Sequence, residues 1–120
     1  MNASSLDPNG HNARLRIYVG EDTRHGDRPL YEAIVLKARQ LQMAGATVLR
    51  GTLGYGRSTR LHSVSVLRSE DLPVVVEIVD CADNIRRFFE LLADIREIGL
   101  ITCEDVQVLL NPPLGVDKLG

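Results

Sequence analysis

RLRIYVGEDTRHGDRPLYEAIVLKARQLQMAG, residues 14–45, sets the fold class. Its first six residues alternate strictly, placing Leu15, Ile17 and Val19 on one face of a strand. The polar loop GEDTRHGD follows, punctuated by Gly20 and Gly26. Asp27 then offers an N-cap region, and Pro29 falls near the first helical turn, where its missing N–H costs nothing. Leu30, Ala33, Ile34, Ala38 and Leu41 recur at helical spacing, and Gly45 suits a left-handed stop, giving a helix over about 29–44. A strand followed by an amphipathic helix is one β-α unit, and the rest of the chain supplies its counterpart.

Outward from this unit, ATVLRGTL (46–53) is apolar and β-branched enough for a second strand, ending in a cluster formed by Gly51, Gly54 and Gly56. GYGRSTRLHS (54–63) reads as an exposed loop, and SVSVL (63–67) alternates too weakly to assign. Pro73 precedes VVVEIV, a buried strand. Asp80 or Asp83 is expected to cap a second helix with Ile85, Phe88, Phe89, Leu92 and Ile95 on its apolar stripe and Gly99 at its end. Val106, Val108 and Leu110 alternate in a last strand over 101–110. Residues 1–13 read as a disordered leader, 14–110 as the domain, and 111–120 as a mobile tail.

The order β-α-β-β-α-β predicts an α+β fold of the ferredoxin-like type. Right-handed crossovers put both helices on one face of a four-stranded antiparallel sheet. The other face, with Val75, Glu77 and Val79, is then open to subunit packing.

Composition narrows the function. The 120 residues carry a net charge of −2, which gives no electrostatic footprint for nucleic acid. Hydrophobic residues are 44% of the chain but aromatics only 4%, so aliphatic side chains must fill the core. Basic residues are almost all Arg, with Lys only at Lys37 and Lys118; a genomic codon preference explains this more simply than phosphate recognition. No apolar run reaches the ~20 residues needed to span a bilayer, and the start lacks the pattern of a secretory signal. A cytoplasmic protein is expected. Cys81 and Cys103 have no CxxC spacing and read as small buried hydrophobes.

Strong nucleotide motifs are absent, and the three histidines, His11, His25 and His62, show no paired metal-ligand spacing. The most informative segment is Arg50-Gly51-Thr52-Leu53-Gly54-Tyr55-Gly56-Arg57. Its glycines let backbone N–H groups approach an anion, and Arg57 adds charge-assisted bonds, although a strand end entering a flexible loop explains the same residues. Glu21 and Asp22 could hold a cation or a ribose hydroxyl, or be solvated loop charges. Glu77, alone among valines, must be at an edge, paired, or at an interface or ligand, with an intersubunit ion pair as the modest expectation.

Gly54-Tyr55-Gly56-Arg57, a polar loop with His62, Leu72-Pro73 and Glu77-Ile78-Val79 together resemble the nitrogen-regulatory PII proteins. The resemblance is closer to the PII-like branch called domain of unknown function 190. Shared features are Glu21-Asp22 near the first strand, Pro29-Leu30-Tyr31-Glu32, Gly45-Ala46-Thr47-Val48, Arg50-Gly51, Asp71-Leu72-Pro73 and Glu77-Ile78-Val79-Asp80. The likeness covers roughly 14–110 and implies a homotrimer with nucleotide clefts between subunits. It assigns Gly54, Gly56 and Arg57 to the T-loop side of the cleft, with Tyr55 among the expected ligand-binding residues, and Gly99, Leu100, Ile101 and Thr102 to the position of the PII B-loop.

The chain departs from PII in four places, one being that the uridylylated tyrosine of PII has no counterpart between His62 and Arg68, so that modification is not expected. Ser58 replaces the Gln that helps hold magnesium and 2-oxoglutarate. EIGLITCED (97–105) lacks a Gly-Asp-Gly-Lys cradle, and LLNPPLGVD (109–117) lacks the C-terminal arginines. With fewer cations the expected effector is AMP, ADP or cyclic AMP rather than magnesium-ATP. The expected role is a regulatory sensor signalling through loop 54–68 to a membrane transporter or enzyme, with no obligatory cofactor. The alternatives are a divalent-metal protein of the copper-tolerance type, using Asp22, His25 or His62, and a small cleft enzyme with Glu77 or His62 as base.

Overall fold

In the computed structural model, which describes residues 5–54 and 72–110, the domain is an α+β structure. The elements are β1 (Asn12–Gly20), β2 (Arg24–His25), β3 (Arg28–Pro29), α1 (Leu30–Gln40), β4 (Ala46–Arg50), β5 (Pro73–Cys81), α2 (Ala82–Leu92) and β6 (Leu100–Val106). Four strands form one antiparallel sheet in the order β4-β5-β1-β6, the ferredoxin-like arrangement expected, and β2 pairs with β3 in a small hairpin.

The alternation read from the sequence holds in both central strands. Ala13, Leu15, Ile17 and Val19 of β1 and Val74, Val76 and Ile78 of β5 are buried on the face that carries the helices. Helix α1 lies over β4 and β5 through Leu30, Ile34 and Ala38; α2 lies over β5 and β1 through Ile85, Phe88 and Leu92. Each such fully buried aliphatic or aromatic side chain contributes roughly 1.5–3 kcal/mol, so these residues dominate the fold's stability. Among the described residues no helix is long and apolar enough to cross a membrane.

Several local expectations are corrected. Helix α1 has no side-chain cap from Asp27; Pro29 is its N-cap, and the Leu30 N–H donates to the Thr23 carbonyl at 2.7 Å, so backbone from the loop between β1 and β2 does the capping. The left-handed stop falls on Gln42, with φ of 60°, and not on Gly45. Gln42 N–H donates to Arg39 O and Met43 N–H to Ala38 O, which is the Schellman pattern, and Met43 packs on the core beside it. The helix therefore ends at Gln40, a full turn before the glycine.

Helix α2 starts from Cys81 without a side-chain cap and ends at Leu92, well short of Gly99. Ile95 and Ile98 continue inward through turns, while Phe89 on the expected stripe is exposed. The last strand runs from Leu100 to Val106, and Leu109 and Leu110 extend beyond it, exposed. Cys81 is half-buried and Cys103 exposed on the edge strand, so neither is a buried hydrophobe. The segment read as a leader is seated on the domain in its described part: β1 begins at Asn12, and residues 5–12 bond to the sheet end. The expected tail, the weakly alternating 63–67 and most of loop 54–68 lie outside the described residues.

Candidate functional site

The two sequence segments singled out for ligand binding lie at one end of the sheet, where β1 and β4 finish and β5 and β6 begin. On the β4 side, the chain leaves at Arg50 and returns at Leu72, and three contacts close this neck. The Gly51 N–H donates to the Pro73 carbonyl at 2.7 Å, and the Glu21 N–H to the Leu72 carbonyl at 2.8 Å. The Arg50 guanidinium meets the Glu21 carboxylate at 2.6 Å. The fit is tight around Pro73: a Cβ on Gly51 would fall 2.8 Å from the proline Cγ, and one on Gly54 would fall 3.2 Å away. These glycines permit close backbone approach, with the partner being the proline of the returning strand. Of the residues proposed from the sequence, Arg50, Gly51, Gly54 and Glu21 are thus brought together. Tyr55, Gly56, Arg57 and His62 lie outside the described residues.

On the other edge, Gly99 donates its N–H to the Tyr18 carbonyl at 2.9 Å and delivers the chain into β6. Leu100 and Thr102 share the sheet face away from the helices, and Ile101 sits opposite Ile17 on the helix side, half-buried. Strands β4 and β6 are separated by β5 and β1. Three strand spacings of about 4.8 Å put the two edges roughly 14 Å apart. Within one chain, the neck and residues 99–102 therefore lie on opposite edges of the sheet.

The face away from the helices is organised in rows across the strands. Leu49, Val75, Tyr18 and Leu100 form an apolar row at the neck end, followed by Thr47, Glu77, Arg16 and Thr102. Glu77 is therefore not at an edge, and it is paired within the chain: its carboxylate accepts a hydrogen bond from Arg16 Nε at 2.7 Å, directly across from it. This bond and the Glu77 charge raise the Arg16 pKa above its ordinary value despite some desolvation. A raised value leaves the guanidinium's contribution intact below the unfolded pKa and removes it only at more alkaline pH, so Arg16 stays cationic at any ordinary pH. In the next row Arg14 pairs with Glu104, and the Arg14 Nε is buried without a hydrogen-bond partner among the described residues.

The opposite end of the sheet is built around a residue that sequence reading took for a helix cap. Asp80 is fully buried and accepts hydrogen bonds from Ser5 Oγ, Ala44 N, Cys81 N and Asn84 Nδ2. It ties the N-terminal segment, the α1–β4 turn and the start of α2 to one point. Beside it the buried Asn12 amide imitates a peptide group, accepting from Asp7 N and donating to Asp7 O. The signal was available: Asp80 continues the inward series Val74, Val76, Ile78, where a carboxylate must find donors.

Among the described residues, no group of three or more His, Cys, Asp or Glu is placed to hold a metal ion. Asp22 and His25, proposed as metal ligands, are exposed in the loop and in β2. The remaining proposed ligand, His62, lies outside the described residues.

Residues 12–108 match DUF190, described as Uncharacterized ACR, COG1993, which spans every strand and helix of the sheet sandwich. The chain belongs to the DUF190 family. It is similar to a UPF0166 protein of Aquifex aeolicus, with 42% identity over 97 residues, covering 79% of this chain and 90% of that one. A UPF0166 protein of Methanocaldococcus jannaschii is 34% identical over 96 residues, covering 78% and 88% respectively. Both relatives therefore align over nearly their whole length, and the DUF190 domain accounts for the whole described sheet.

Proposed function

We propose that this DUF190 protein is a PII-like regulatory sensor. It binds an adenine nucleotide (AMP, ADP or cyclic AMP) in clefts between the subunits of a homotrimer. It signals through loop 54–68 to a partner such as a membrane transporter or an enzyme. The observation that carries this reading is the position of the two ligand segments: at the same end of the sheet, but on opposite edges. A ligand touching both must sit between the β4 edge of one copy and the β6 edge of another. The open sheet face supports self-association as well, since its apolar row and the orphaned Arg14 Nε would both gain from being covered. No catalytic step is part of the proposal.

The test is calorimetric titration with AMP, ADP, ATP and cyclic AMP, with thermal melts and Arg57→Ala alongside. A ligand that binds only native protein raises the melting temperature by mass action. We expect saturable binding of one or more of the smaller nucleotides, weakened about tenfold or more in Arg57→Ala. Failure of all four to bind would remove the nucleotide from the proposal.

A further inference from the structure

Four arginine–carboxylate pairs occur among the described residues, and the pair at the neck differs from the others. Arg16–Glu77 and Arg14–Glu104 are cross-strand partners held in register by the sheet, and Arg28–Glu32 is a loose contact one helical turn apart. Arg50 and Glu21 share no register. Arg50 ends an edge strand, Glu21 follows β1, and only the neck brings them together. The Arg50 side chain is also the most exposed of the four arginines at 56%, whereas Glu21 is mostly covered at 22%. The guanidinium faces solvent while its backbone is fixed by Gly51 against Pro73.

We infer that Arg50 is an anion-binding residue whose internal counter-ion, the Glu21 carboxylate, must be displaced by the phosphate group of a ligand. This deepens the nucleotide reading above and rests on it for the rest of the ligand. A surface carboxylate–guanidinium pair holds only weakly. A phosphate monoester brings more charge and three acceptor oxygens to the same planar donor fork. The exchange moves no covalent bond: Arg50 changes partners, and Glu21 is released to water. The Glu21 N–H is bonded to Leu72, so the residue that loses its partner is attached to the strand returning from the loop. Occupancy by an anion is thereby felt where the loop rejoins the sheet.

The experiment titrates AMP, adenosine and inorganic phosphate into wild-type protein, Glu21→Gln, Arg50→Ala and Arg50→Lys, with a thermal melt of each variant. Glu21→Gln keeps the shape and the backbone bond to Leu72 but removes the competing charge. AMP and inorganic phosphate should then bind about three- to tenfold more tightly, with adenosine unchanged. Arg50→Ala should abolish that gain, and Arg50→Lys should retain part of it if the alanine variant melts too low to use. AMP binding that is equal or weaker in Glu21→Gln overturns the inference while leaving the nucleotide reading in place. An equal gain for adenosine also overturns it, because the effect would not be one of charge. Enhanced binding of phosphate alone, with AMP bound by no variant, would retain the counter-ion and reject the nucleotide. No binding of any probe to wild type or Glu21→Gln rejects both.

Discussion

Each end of the sheet is fastened by a carboxylate, and the two are fastened differently. Asp80 is wholly inside, and four donors from three separate segments converge on it. Glu21 is mostly covered but meets a single described guanidinium that itself faces solvent. In a dry site every donor left without its acceptor has a cost, so Asp80 cannot be exchanged for anything else. In a wet site the donor can take another acceptor with little penalty, and the contact is free to switch. The sheet therefore has a permanent end and a replaceable end, and the replaceable one carries the candidate ligand residues.

The sharpest way to break this contrast is to remove each carboxylate. Asp80→Ala should destabilise by about 3 kcal/mol, because several buried donors lose their acceptor at once. Glu21→Gln should change stability by no more than about 0.5 kcal/mol. Chemical denaturation of both variants measures the difference, and equal losses would erase the distinction between the ends. The glycines sharpen it further. Gly51→Ala at the neck should cost about 1–2 kcal/mol, since its Cβ would sit 2.8 Å from Pro73 Cγ. Gly45→Ala at the Asp80 end meets nothing within 4 Å and should gain roughly 0.4 kcal/mol through the unfolded chain. Paired melting curves would show the two alanines moving in opposite directions. A further test is at Gln42, whose φ of 60° strains any side chain. Gln42→Gly should raise stability by about 0.5–1 kcal/mol in the same assay. A loss there would mean that Gln42 makes contacts outweighing its strain.

Much of the fold could be read from the sequence because alternation and helical spacing are local properties. Leu15, Ile17 and Val19, and Ile85, Phe88 and Leu92, declare their faces within a few residues of one another. Helix ends were harder. Gly45 looked like the stop because glycine tolerates positive φ, but the Schellman bonds to Arg39 and Ala38 place that conformation on Gln42, where Met43 can reach the core. Glu77 was read as lying at an edge, paired, or facing an interface or ligand, and it is paired. That the partner is Arg16 in the same chain depends on strand register, which neither residue's neighbours encode. The neck was half legible: the glycine cluster and the Glu21-Asp22 pair stood out separately. Their meeting through Arg50 spans the whole first β-α-β unit and appears only once that unit has folded. Asp80 was misread as a cap because its position beside a helix start was more conspicuous than its place in the inward series of β5.

The neck has a consequence for how such a protein can diversify. Its described closing contacts belong to residues 21, 50, 51, 72 and 73, so a segment inserted between 54 and 72 would hang as a pendant from a clasp that these residues close. Lengthening a pendant is cheap: doubling a flexible loop costs only about 0.6 kcal/mol in closure entropy. Related chains could thus trade one pendant for another, and with it one audience for another, while the scaffold beneath is left unaltered.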